Sequence, residues 1–442
     1  MDAGNSPAAV MPDDPASSGA GSRAARRLGG LLRRRNFRLL WAGETISGAG
    51  TSMAVIGVPL LAVTVLHAST FAVAALTAAA YLPWLVIGLP AGAWVDRLPA
   101  RPLMVICDVT SALLYASLPA AAWLGVLTTG QVVAIALLAG AANVFFATAY
   151  QVYLPSLITA GELVEGNAKL QGSASVATIG GRAVAGLAAK AVGAATALLF
   201  NAASFLVSAA CLLSIRAAVP TARARRGSMH AEAWQGIRLV ARDPYLRPLT
   251  IYPALANFAY AGNLALVVVF LVRVVGLGSA AVGLLLATGG IGGVLGALVA
   301  GRAVRVLGTA RALLTSALSA GLFGLLIPLT GTGLRLAYYT AGSAVVAGGI
   351  VVGSIIAGSF RQAYCPPEML GRVTASMRFL AYGAIPLGAL FAGALGTALG
   401  VRNGLWAILA IFALSGTLLL TPAILSHKNL PTTTTIPGRV PE

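Results

Sequence analysis

The chain has 442 residues, 58% of them hydrophobic and only 10% charged, whereas an ordinary soluble domain carries about 25% charged residues. That balance excludes a soluble globular domain and reads as a polytopic membrane protein. The formal net charge of +18 sits almost wholly at the ends of apolar runs and forms no basic groove with aromatic platforms, which excludes nucleic-acid binding.

Residues 1–35 are polar and of low complexity, ending in Arg23, Arg26, Arg27, Arg33, Arg34 and Arg35; they are expected to form a disordered cytoplasmic arm whose arginines touch anionic headgroups. No cleavable signal peptide is evident, because the first apolar run is too long for one. Apolar segments long enough for membrane helices follow at 39–65, 71–95, 103–124, 131–153, 168–192 and 195–215. After a polar stretch, six more occupy 249–275, 279–300, 310–330, 335–358, 373–399 and 403–425. Two sets of six suggest an internal duplication. The expected architecture is an all-α membrane protein, with twelve transmembrane helices in two pseudo-symmetric six-helix bundles at 36–215 and 249–425. A linker at 216–248 joins them, and a cytoplasmic tail occupies 426–442.

Within the linker, Trp234, Ile237 and Val240 recur on one side and Glu232, Gln235, Arg238 and Arg242 on the other, as suits a helix lying on the inner leaflet. Asp243-Pro244 should end it, since the residue before proline is pushed out of the helical region. With both termini inside, only Lys190, Arg273, Arg335 and Arg402 fall outside and Arg182 within a span; every other Lys and Arg lies on the inner side. That asymmetry obeys the positive-inside rule.

The turn between the second and third spans reads Gly92-Ala-Trp-Val-Asp96-Arg97-Leu-Pro-Ala-Arg101, and Gly296–Gly308, with Arg302 and Arg305, stands at the corresponding place in the second half. This pair resembles the loop signature of the major facilitator superfamily of secondary transporters. Asn36 to Gly43, Gln235 to Leu249 and Pro366 to Ala375 look like the branch containing the enterobactin exporter and macrolide-efflux proteins, so that the resemblance covers about residues 36–425. Departures accompany it: Pro99 and Ala100 stand where the signature usually has Gly and a base, and Arg182 replaces a proline of an exporter motif in the fifth span. Thr51 and Glu44 stand where many branch members have Asp and Gln, so the acid of the first span is displaced by two helical turns.

A charge in mid-membrane costs on the order of 2.5–3.5 kcal/mol on insertion scales, so each one invites an explanation. Glu44, just inside the inner edge of the first span, is the first candidate for proton coupling; the alternative is that it snorkels to the surface or pairs with a base. Asp108, at similar depth in the third span, is a second candidate, with structural pairing near the opening turn as its alternative. Arg182, roughly 22 Å along the fifth span at 1.5 Å per residue, lies too deep to meet Glu44. It either faces a cavity and attracts an anionic or carbonyl-rich substrate, or bonds backbone carbonyls. Asn143, Tyr150, Asn201, Asn257, Tyr260 and Asn263 are uncharged candidates for the cavity wall, with interhelical hydrogen bonds as the alternative. Gly92, Asp96, Arg97 and Arg101, with Arg302 and Arg305, are expected to form a conformational latch between the halves. The glycines of the eighth and eleventh spans permit close packing or sliding, and Pro59, Pro83, Pro90, Pro253, Pro328 and Pro386 are expected to kink helices.

No lysine follows a glycine as in a Walker A loop. His67, His230 and His427 lie far apart, and Cys107, Cys211 and Cys365 have no metal or disulfide spacing. No enzyme, cofactor or metal is expected. The reading is a monomeric secondary active transporter of a bacterial inner membrane, partnered by lipid, protons and a small molecule. It exports a small amphipathic drug or natural product by proton antiport with alternating access. A proton-coupled importer of the same superfamily and a membrane subunit energised by a separate ATPase are the alternatives.

Overall fold

The computed structural model describes residues 30–95, 98–158, 162–216, 238–365 and 367–431. Among them twelve helical spans alternate in direction: Arg35–Thr64, Thr70–Val86 continued by Gly88–Val95, Ala100–Trp123, Thr129–Leu157, Leu163–Val192, Ala194–Leu213, Pro248–Val274, Ser279–Leu307, Thr309–Leu329, Gly333–Tyr364, Pro367–Ala398 and Val401–Leu419. Ten contain stretches long and apolar enough to cross a membrane. The other two are instructive. The second is divided at Ile87, leaving 17 residues in its longer piece. The fifth carries Glu165, Lys169, Arg182 and Lys190. An even number of spans places both ends of the bundle sequence on one face, here the terminal face; the opposite is the far face.

Local chemistry sets the ends. The Ser69 hydroxyl accepts from the Ala72 amide and Thr128 from Gln131, both at 3.2 Å, satisfying amides that a helix start leaves free. Gly193 and Gly400, joining the fifth to the sixth and the eleventh to the twelfth spans, have φ of 85° and 84°, a left-handed conformation that glycine alone adopts without a Cβ penalty. The seventh span finishes in a π-helical turn, Phe270–Val274.

Packing repeats between the halves. The first span packs on the fifth and sixth, the second on the fourth, and the third on the fourth and sixth. Adding six to each number gives the pairs of the second half: seventh on eleventh and twelfth, eighth on tenth, ninth on tenth and twelfth. The halves meet chiefly through the second span on the eleventh and the fifth on the eighth, contacts that the same two-fold exchange maps onto each other.

Glycine makes these contacts close, but with two kinds of partner. A Cβ at Gly292, Gly296 or Gly388 would strike backbone of its own half, at Ala344, Gly348 and Phe258. One at Gly186, Gly290 or Gly393 would strike the other half, at Gly283, Ile179 and Ala74 respectively. Near the far face, Arg273 Nη2 also donates to the Ala68 carbonyl at 2.6 Å across the halves. The far face is therefore sealed by close approach of the halves, backbone to backbone at Gly186 and Gly283 and backbone to side chain at Gly393 and Ala74.

Several expectations are corrected on the terminal face. Residues 30–35 belong to the folded body: Leu31–Arg33 form a 3-10 turn, Leu31 is buried with Phe37, Met104 and Tyr153, and Arg34 pairs with Glu162 at 2.7 Å. The start of the tail is bound. Asn429 Oδ1 accepts from the Thr309 amide at 3.0 Å, and the Leu430 amide donates to Thr309 Oγ1 at 2.7 Å. In the linker the helix does end before Asp243, whose Oδ1 accepts from the amides of Tyr245 and Leu246 while Oδ2 accepts from the Tyr364 hydroxyl at 2.9 Å. Trp234, Ile237 and the other residues before Arg238 that carried the surface-helix expectation lie outside the described residues.

Candidate functional site

A cavity of about 510 Å³ runs through the first half between the first four spans, with Phe205 of the sixth and Leu264 of the seventh completing its wall. Its lining follows helical periodicity. Glu44, Ser47, Thr51, Val55 and Val58 face it from the first span, and Asp108, Ser111, Tyr115 and Leu118 from the third; spacings of three and four residues keep one face of a helix turned one way.

Small residues bring these faces together. Gly43 lies against Ser208 and Cys211 of the sixth span, where a Cβ would stand 3.4 and 3.3 Å from their atoms. Gly50 packs on Ser204 and Asn201. With the Gly43 side thus occupied, Glu44 turns towards the cavity. On the other wall Gly140 admits the Ala80 carbonyl of the second span, which holds Thr77, Ala80 and Tyr81 at the lining.

The two acids converge. Glu44 is the tenth residue of its helix and Asp108 the ninth of its own, and both line the one cavity. Asp108 is 2% exposed. One oxygen of each, Glu44 Oε1 and Asp108 Oδ2, is buried without a hydrogen-bond partner. Asp108 thus lines the same cavity as Glu44, while Asp96 and Arg97 of the opening turn, the place of its alternative pairing, lie outside the described residues. Tyr150 and Asn143 line the same cavity.

Aromatic rings supply the remaining wall. Tyr115 and Phe205 stack at 5.9 Å, and Trp84 stacks on Tyr382 of the eleventh span at 5.3 Å. Sequence reading singled out Tyr150 among the cavity aromatics and missed Tyr81, Trp84, Tyr115, Phe146 and Phe205, although their spacing along the spans carries the signal. Thr51 also lines the cavity, two helical turns from Glu44 on the same face, so the displaced acid of the first span stays on one wall.

Other expected site residues lie elsewhere. Arg182, Tyr260 and Asn263 line a second, smaller void together with Tyr339 and Ser343, adjoining the first at Val55 and Leu264. Asn201 is fully buried behind the first span with neither side-chain atom partnered; its role in the wall is corrected to helix packing. Asn257 donates to the Ala381 carbonyl at 3.3 Å, an interhelical bond to the eleventh span.

The latch residues divide as well. Asp96 and Arg97 lie outside the described residues, and Gly92 is described only as part of the helix Gly88–Val95. Arg101 does not reach the other half: its Nε donates to the Leu212 carbonyl at 2.8 Å and Nη2 to that of Leu213. It thereby covers the carbonyl end of the sixth span, where a cation is favoured by the helix dipole. Arg302 and Arg305 are exposed at the end of the eighth span, and among the described residues neither forms an ion pair.

Comparison with known proteins agrees with this architecture. The family model described as Major Facilitator Superfamily matches residues 40–389. A multidrug efflux pump, Tap of Mycolicibacterium fortuitum, is 28% identical over 377 residues, covering 82% of this chain and 90% of its own. An uncharacterized MFS-type transporter, y4rN of Sinorhizobium fredii (strain NBRC 101917 / NGR234), is 28% identical over 76% of this chain and 84% of its own. Among solved structures, the nucleoside transporter NupG superposes with a TM-score of 0.71 at 13% identity, covering 89% of this chain and 99% of that one. A bacterial homologue of the iron transporter ferroportin in an inward-facing state gives 0.69 at 16%, covering 88% and 98%.

Proposed function

From this chain's membership of the major facilitator superfamily, which makes it a secondary transporter and not an enzyme, we propose that it exports a small amphipathic, cationic molecule in exchange for a proton. The observation that carries the reading is the convergence of Glu44 and Asp108 on one aromatic-walled cavity, each with a buried unpartnered oxygen. A volume of about 510 Å³ suits a drug-sized ligand, and aromatic walls with a few polar groups are what such ligands require. Two acids and no base on the lining favour a positively charged guest.

Two carboxyls beside each other in a poorly solvated site cannot both ionise cheaply, so the pair holds a proton that a cationic guest displaces. Glu44 is the member assigned to hand the proton on. Asn143 and Tyr150 orient the guest. The terminal face is the cytoplasmic one in a bacterial plasma membrane, as the arginine distribution favours; the far-face seal then makes this the inward-facing state. Guest and proton act on opposite steps because a ligand shifts a conformational equilibrium only through unequal affinity for its two states. Kinship with Tap supports efflux as the direction.

The test is accumulation of a panel of fluorescent cationic drugs in inverted membrane vesicles under an imposed pH gradient without ATP. Accumulation that a protonophore collapses and Glu44→Gln abolishes is expected. Accumulation that survives in Glu44→Gln and Asp108→Asn alike sinks the coupling role, and uptake confined to right-side-out vesicles assigns import.

A further inference from the structure

The second void, of about 40 Å³, lies between the halves, where the fifth span brings Arg182, the seventh Tyr260 and Asn263, and the tenth Tyr339 and Ser343. Arg182 Nε is buried there without a hydrogen-bond partner, and so is Asn263 Oδ1. Among the described residues Arg182 has no ion pair. The nearest acid along the first span is Glu44, twelve residues from Ile56 of this void, or about 18 Å at 1.5 Å per residue.

Arg182 is half-buried, with its Nε enclosed and unpartnered; a charge so placed without a counter-charge is costly, and the donors on hand, a guanidinium and two phenols, are those an anion uses. We propose that this void binds one monovalent anion of chloride size, held by the Arg182 guanidinium. A site needs roughly 10–15 Å³ to admit one water, so this one takes a small ion with a water beside it. It has no room for an organic scaffold, and a doubly charged sulfate would meet only the one cation, Arg182. The water donates both to the ion and to Asn263 Oδ1, which satisfies the two orphaned groups together. Because the ligands come from both halves, the ion strengthens the seal of this state. The site adjoins the proton and drug cavity at Val55 and Leu264 but holds neither acid, and its existence does not depend on the transport proposed above.

The experiment is equilibrium binding of radioactive chloride to the purified full-length protein in gluconate buffer of constant ionic strength. Wild type is expected to retain one saturable chloride per chain, displaced by bromide and not by sulfate. Arg182→Gln should weaken retention about tenfold or more, or 1.4 kcal/mol per tenfold, while Arg182→Lys keeps part of it. The wild-type competition stands by itself should a variant fail to fold. Absence of saturable chloride, displacement by sulfate as effective as by bromide, or unchanged binding in a folded Arg182→Gln overturns the proposal. So does stoichiometric release of chloride by a transported drug, which would assign the void to the substrate.

Discussion

Gly186→Ala tests whether the far face is closed by backbone contact. The added Cβ would stand 2.7 Å from Gly283 Cα and 2.9 Å from its amide nitrogen, and would also strike the Ser279 carbonyl. All three are backbone atoms of the eighth span, so no side chain can swing aside. Ordinary carbon contacts begin near 3.5 Å, so the fifth and eighth spans must part by about 0.8 Å. Overpacking of this kind costs about 1–3 kcal/mol, and only in the closed state; alanine otherwise favours a helix over glycine by about 1 kcal/mol, so folding survives. The closed-to-open ratio is expected to fall about 5- to 150-fold. The assay is an electron-spin distance measurement between labels at Val126→Cys and Leu334→Cys, exposed far-face positions on opposite halves, with Cys107, Cys211 and Cys365 removed. A new, longer distance component is predicted for Gly186→Ala. A distribution identical to that of the parent would refute the claim that this glycine pair sets the closure.

Other outcomes follow from single contacts. Arg273→Gln removes the bond to the Ala68 carbonyl and should add to the same long-distance population, by about 1.5–3 kcal/mol for a charged hydrogen bond. Arg101→Ala, which strips the Leu212 and Leu213 carbonyls, should instead lower thermal stability by a similar amount and leave the distance distribution unchanged. Tyr364→Phe should cost about 1 kcal/mol in melting experiments, since Asp243 keeps its two backbone bonds. Asn201→Leu removes a buried amide with no partner and should be neutral or stabilising in the same assay, because the desolvation penalty goes with it; a loss of 2 kcal/mol or more (~) would mean that the amide is bonded.

The spans were legible because hydrocarbon thickness dictates their length, and the repeated turn at Gly92–Arg101 and Gly296–Gly308 marked the two halves. What decides the site was not. Whether Glu44 and Asp108 face one cavity depends on the rotation of two helices, and a third bears on it: Gly43 rests on Ser208 and Cys211. No single run of residues contains that contact. The same holds for Arg101, whose expected partner was an acid across the interface but which finds carbonyls freed by the end of a helix more than a hundred residues away. Asn201 and Asn143 read alike in sequence as polar groups in apolar runs, and only packing separates the first, behind the Gly50 contact, from the second, on the cavity wall. Glycine was legible as a permission to pack closely, while the difference between Gly292, which closes a half internally, and Gly186, which closes the halves together, required coordinates.

The most direct test of the proton account is to add a transported cationic drug to the purified protein in weakly buffered detergent solution and record the pH with an indicator dye. If Glu44 and Asp108 exchange a shared proton for the guest, wild type acidifies the medium by close to one proton per drug bound. The double substitution Glu44→Gln, Asp108→Asn should release none. Binding without acidification in wild type, or acidification undiminished in the double variant, would contradict it.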